Sequence, residues 1–304
     1  MKKIDSFAHI LPKNYYQEML KIDKTIPQKF PFINIPALVD LDERIKTWPA
    51  KDIKQVLSFA NINAEDFTEP NEAAQLAQAG NRELAKIIEK FPDYFESGVG
   101  MLALNNVKAS CDILEEIAHS SSLVGAQIFT RHLGKSIAAP EYEPIFATAA
   151  KLNVPLWLHP VFDVRKPDNN LVFSWEYELS QAMLQLVQAN IFEKYPTIKI
   201  IIHHAGAMVP FFAGRINHIL PQEQAVDFKK FYVDTAILGN APALKLALDY
   251  YGSDHVLFGT DAPFGVKPAG ATKIIVDALE ELNLPVTKME DIFYKNYQKL
   301  VSGE

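Results

Sequence analysis

The sequence has 304 residues, with 30 Lys and Arg against 37 Asp and Glu for a formal net charge of -7, and with 48% apolar against 22% charged residues. This composition excludes a disordered chain, and the lack of any Lys/Arg-rich run leaves no footprint for nucleic acid or an anionic membrane surface. No apolar run approaches a bilayer span, the start lacks the apolar stretch of a signal peptide, and the single cysteine, Cys111, cannot make an internal disulfide; a cytoplasmic protein is expected.

In chain order, eight short runs rich in Val, Ile and Phe predict strands over residues 3–8, 54–59, 96–102, 124–129, 154–159, 198–203, 231–235 and 256–260. Apolar residues recurring at three and four predict helices over 72–91, 107–119, 142–152, 177–192, 241–251 and 271–282. Strand followed by helix, repeated along the chain, predicts an α/β fold with parallel strands: a (β/α)8 TIM barrel forming a single domain over residues 1–304. An open doubly wound sheet would give the same alternation, but no Gly-rich phosphate loop follows an early strand. Residues 13–36 and 161–175 read as insertions in loops at the C-terminal face, placed to act as lids or substrate walls.

Strand side chains alternate faces, so Asp5, Phe7 and His9 are expected to share one face, with His9 at the C-terminal end of the first strand. The fifth run ends on His159 before Pro160, and the sixth ends on His203 and His204. That pair must point opposite ways; His204 is expected at the barrel mouth and His203 behind the strand. The eighth run closes on Asp261 ahead of Ala262-Pro263. Each residue alone also has a plain structural reading, as a hydrogen-bonded core imidazole or a turn-capping carboxylate. Strand ends of one barrel open onto one rim, however, so together they predict a cluster. Imidazoles with one carboxylate are a ligand set for a divalent transition metal, Zn2+ first, with Mn2+ or Fe2+ as rivals. Trp175, Phe173, Phe162 and Phe264 near the mouth suggest a flat, partly apolar substrate, against a competing reading as simple packing.

The ordered pieces Gly125-Ala126-Gln127-Ile128, Trp157-Leu158-His159-Pro160, Phe173-Ser174-Trp175-Glu176, His204-Ala205-Gly206, Gly214-Arg215-Ile216 and Phe258-Gly259-Thr260-Asp261 span nearly the whole chain. With these, the sequence resembles the amidohydrolase-related metal-dependent family that contains aminocarboxymuconate semialdehyde decarboxylase and the resorcylate-type decarboxylases. The resemblance implies that His9, His159 and Asp261 are metal ligands and that His204 is the catalytic histidine. It also implies that Arg215 reaches a neighbouring subunit's site and grips a substrate carboxylate, which calls for a homodimer. Arg44 falls where a second carboxylate-binding arginine occurs, with an exposed helical arginine as the default reading.

One departure from the family stands in the first strand. The family carries His or Glu two residues before the retained His, and here that seat is Phe7. A phenyl ring has no lone pair, so either His204 joins His9, His159 and Asp261, or binding is weak, or the metal is lost. The first expectation is a metal-dependent non-oxidative decarboxylase of a small aromatic or muconate-like carboxylic acid, with His204 delivering the proton and Asp261 acting as ligand and base. A metal-dependent hydrolase of a lactone or amide uses the same parts. A metal-free barrel that binds a small ligand is the third reading.

Overall fold

A computed structural model describes residues 1–161, 168–268 and 270–302. Seven parallel strands lie side by side in sequence order: Lys3–Ile10, Ile53–Phe59, Phe95–Met101, Leu123–Phe129, Leu156–His159, Ile200–Ile202 and Tyr232–Val233. Their near-continuous apolar runs suit strands covered on both faces. The expected eighth strand is reduced to two isolated parallel bridges, Val256 with Val233 and Ala262 with Ala8. Hydrogen bonds still tie this segment to both edges of the curled sheet. Leu257 N donates to Val233 O at 2.8 Å, while Ser6 N donates to Phe258 O at 2.8 Å and Asp261 N to Phe7 O at 2.8 Å. The ladder fails because Phe258 N turns away to Ile292 O at 2.9 Å and Asp261 adopts φ of 63°. The architecture is TIM-type.

Ile4, Val56, Val99, Trp157, Ile201 and Leu257, one from each of six chain segments, pack into one apolar layer with Tyr297 and Leu300 of the C-terminal helix Asn296–Ser302. Gly125 makes room for the largest member, since a Cβ there would meet Trp157 Cζ3 at 2.3 Å. The presence of Ile4 in this layer corrects the expectation that Asp5 shares a face with Phe7. A register shift between Asp5 and Ala8 breaks the alternation. Asp5 turns instead to Thr260, accepting from its Oγ1 at 2.6 Å and its backbone N at 2.9 Å.

The predicted helices occur as Pro70–Lys90, Val107–Ala118, Glu143–Leu152, Ser174–Gln188, Ala241–Tyr251 and Thr272–Glu281. The stretch after the first strand is broken into Lys13–Ile22, Ile26–Lys29, the turn Pro31–Ile33, Pro36–Val39 and Leu41–Lys46. Pro27, Pro31 and Pro36 each fall in the first two positions of one of these pieces, where the missing N–H costs nothing, and so fix short restarts. Of the second predicted insertion, residues 162–167, including Phe162, lie outside the described residues. Among the described residues, no helix is long and apolar enough to cross a membrane.

Candidate active site

At the end of the first strand, His9 Nδ1 lies 3.2 Å from the carbonyl of Phe59 and 3.1 Å from Ser58 Oγ. His9 Nε2 faces Asp261 Oδ1 at 3.1 Å. At the end of the fifth strand, His159 Nδ1 donates to the Pro160 carbonyl at 2.6 Å, and its ring centre is 5.0 Å from that of His9. Burial, reinforced by His9 and His203, holds the His159 pKa well below the ordinary imidazole range. In His159 Nε2 therefore carries the lone pair, the tautomer a metal-ligating histidine needs. Among the described residues, no three His, Cys, Asp or Glu side chains are gathered around one point as they stand. The donors are nevertheless neighbours on one floor, and their chemistry fits a divalent cation.

The sixth strand corrects the expectation for His203. Ile201 belongs to the interior layer, and the alternation carries His203 inward with it. The His203 ring stacks on Phe7 with centroids 3.4 Å apart at 15°, and lies 5.4 Å from His159. His204 would then point outward, but it adopts φ of 57°, followed by Ala205 and Ala207 at 55°. This left-handed run swings His204 back into the site, at about 1–3 kcal/mol of strain per residue. The turn needs glycine at 206, where φ is 76° and a Cβ would meet Tyr251 Oη at 2.2 Å.

His204 Nδ1 donates to Glu176 Oε1 at 2.6 Å. Burial alone would depress its pKa; the charge and hydrogen bond of Glu176, with Asp261 and Asp234 behind, outweigh burial and raise it to about 10. Trp175, next to Glu176, lies over His204 at 6.4 Å and 29° and meets His159 edge-on at 5.6 Å.

These groups open into a cavity of about 880 Å³, with His9, His159, His204 and Asp261 lining its base. Phe32, Trp175 and Phe264 form walls, and Leu171, Phe173, Phe211, Phe212 and Leu238 lie at exposed positions around it. Its size and apolar lining with few polar groups suit a small organic ligand.

Two expected binding residues lie elsewhere. Arg44 is 4% exposed and does not line the cavity, which corrects both its substrate-binding and its exposed readings. Its guanidinium donates to the His9 carbonyl at 2.6 Å, to the Ala37 carbonyl at 3.3 Å and to Gln55 Oε1 at 2.7 and 3.1 Å. Arg44 thus steadies His9 from behind. Replacing Arg44 by Met strands several buried acceptors, so a loss of about 3–5 kcal/mol in unfolding free energy is expected from urea titration; an unchanged midpoint would refute this role. Arg215 is exposed on the helix Ala213–Ile219 and does not line this chain's own cavity.

Two residues escaped the sequence reading. Glu176 sits in the first turn of the helix Ser174–Gln188, and nothing in the local pattern ties it to a histidine 28 residues away. Asp234 follows the seventh strand and accepts from His203 Nδ1 at 2.7 Å. Burial raises its pKa to about 6, against the lowering effect of His204 and of the backbone amides it accepts from. The strand-end rule that singled out Asp261 would have found it.

The chain belongs to the amidohydrolase family, whose model, described as Amidohydrolase, matches residues 9–301. The 2-amino-3-carboxymuconate-6-semialdehyde decarboxylase of Dictyostelium discoideum is 29% identical over 296 residues, covering 86% of this chain and 82% of that protein. The 6-methylsalicylic acid decarboxylase of Penicillium expansum is 27% identical over 309 residues, covering 94% and 91%. In three dimensions the chain is similar to a dihydroxybenzoic acid decarboxylase from Polaromonas, solved with manganese and 2-nitroresorcinol. The TM-score is 0.82 at 22% identity, over 99% of this chain and 97% of that one.

Proposed function

We propose that this chain is a single-domain, cytoplasmic, homodimeric enzyme that decarboxylates a small aromatic or muconate-like carboxylic acid without an oxidant, using a divalent cation. The reading is carried by the His204–Glu176 pair at the base of an apolar cavity, beside Asp261 and His9. The names of the Dictyostelium and Penicillium relatives support the reaction, and the manganese of the Polaromonas structure supports Mn2+ beside Zn2+ and Fe2+ as the cation. His9, His159 and Asp261 would hold the cation, which when bound supplies positive charge to orient the substrate carboxylate.

The chain's own groups do the rest. Trp175 and Phe264 take the flat body of the substrate, with Phe32 of the first proposed loop insertion and Leu171, Val172 and Phe173 of the second completing the wall. His204 gives its proton to the carbon bearing the carboxylate; the carbon–carbon bond then breaks, its electron pair returns to the substrate and carbon dioxide leaves. His204 regains a proton from solvent. Arg215, exposed on its helix, would serve the partner subunit's cavity in the homodimer.

The test is carbon dioxide release from a panel of aromatic and muconate-like acids by protein loaded with Mn2+ or Zn2+. Release from at least one acid is expected, and silence across the panel, or turnover of lactones and amides only, would overturn the reading. In the same experiment His9→Ala is expected to lose its cation by elemental analysis; unchanged occupancy would remove His9 as a ligand.

A further inference from the structure

The turn that carries His204 into the cavity is strained, and such strain persists only where the surroundings over-determine it. His204, Ala205 and Ala207 hold φ of 55–57° without being glycine. Gly206 leaves room for this turn but supplies no force that holds it. The holding group is Asp234, a carboxylate with 0% exposure just beyond the seventh strand. Its Oδ1 accepts from Ala236 N at 2.9 Å and Ala205 N at 3.4 Å, and the backbone amide of His204 adds to these donors. Successive amide N–H groups in a turn of this kind form a concavity that favours an anion. Here the anion is part of the chain itself.

The carboxylate is fixed from its other side as well. Burial raises the Asp234 pKa only to about 6 against these donors, so the group is an anion at neutral pH. Burial also holds the His203 pKa well below the ordinary imidazole range, so that ring is neutral and donates from Nδ1 to Asp234 Oδ2 at 2.7 Å. One oxygen is thus committed to the backbone of the turn and the other to the ring that precedes it. Gly259 lets Asp234 pack this closely, since a Cβ there would meet Asp234 Cβ at 2.8 Å and Phe7 Cβ at 3.0 Å. Asp234 is not among the residues that line the cavity, so its route to the reaction runs through His204.

We propose that Asp234, clamped by His203, is a positioning residue for the proton donor: its carboxylate fills the amide concavity at residues 204–205 and so fixes the left-handed turn that aims His204 at the substrate. The inference rests on the role of His204 proposed above and not on the cation.

Asp234→Asn presents an NH2 group where either the turn or His203 Nδ1–H needs an acceptor, so one of the two contacts is lost. Hydrogen–deuterium exchange of the full-length protein is followed residue by residue, together with carbon dioxide release from an acid that the wild type turns over. In the variant, residues 203–207 are expected to lose protection while the strand Ile200–Ile202 keeps it. kcat is expected to fall roughly 100-fold, the effect of a misplacement of about 1 Å, with little change in KM. In a His204→Ala background the same substitution is expected to leave kcat where it was, because a residue that acts through another then has nothing to position. Equal fold losses in both backgrounds, or wild-type exchange and turnover in folded Asp234→Asn protein, would overturn the inference. So would prompt exchange of the Ala205 and Ala236 amides in the wild type, a readout that needs no variant to fold. A wild type that releases carbon dioxide from no acid would overturn the proposed reaction instead, and the exchange pattern alone would then decide whether Asp234 holds the turn.

Discussion

Replacing His204 by Ala is expected to lower kcat by about 100- to 10,000-fold, the usual contribution of one general acid, while the cation stays bound. The reason is its position. His204 stands at the cavity base beside Asp261 but is turned to Glu176 through Nδ1, so it can hold a proton for the substrate without being needed in the ligand set. Carbon dioxide release measured together with elemental analysis checks both halves. Full turnover in this variant would remove His204 from the acid's role, and loss of the cation would place it among the ligands instead.

The second large effect belongs to Glu176. A general acid works only while protonated, so activity falls as pH rises through its pKa. With the His204 pKa raised to about 10 by Glu176, Asp261 and Asp234 against the pull of burial, the alkaline limb of kcat/KM in the wild type is expected near that pH. Glu176→Gln keeps a hydrogen-bond acceptor but removes the charge. Burial then acts with less opposition, and the limb moves to lower pH, with activity already falling near neutrality. A pH profile unchanged by the substitution would refute the coupling. Stability follows the same sign. The native pKa lies above the ordinary value of 6.5, so the pair's contribution is fully present below about pH 6.5 and is lost as pH rises through about 10. Glu176→Gln protein should therefore show a flatter dependence of unfolding free energy on pH in that window.

Much of this was legible in the chain, for identifiable reasons. Strands covered on both faces are written as continuous β-branched runs; the run ending in His159 stops where the sequence says it does, while the first strand continues two residues past its expected end, to Ile10. The longest helices carry a clear apolar stripe and agree within a few residues. What could not be read depended on backbone geometry or on distant partners. The register shift after Asp5 exchanges which side chains face inward, and period-two counting cannot see it. His203 packs inward against Phe7 because it follows the alternation, and His204 reaches the cavity because it escapes it through a left-handed φ, a conformation a non-glycine residue does not announce. Arg44 looks like any charged residue of a short helix until the carbonyl of His9 and the amide of Gln55 are found against it. Phe7 was legible as an oddity, and only the stacked His203 shows what accompanies it.

The left-handed run at 204–207, locked by Gly206 beneath Tyr251, divides the protein's tolerance to change. Every residue of that turn is constrained by torsion, by space or by a partner, so drift there destroys the reaction before it can alter it. Leu171, Phe173, Phe211 and Phe212 are under no such constraint, for they stand in loops or short helical turns with much of their surface in water. New substrate preferences should therefore arise through substitutions around the entrance, leaving the proton donor where it is.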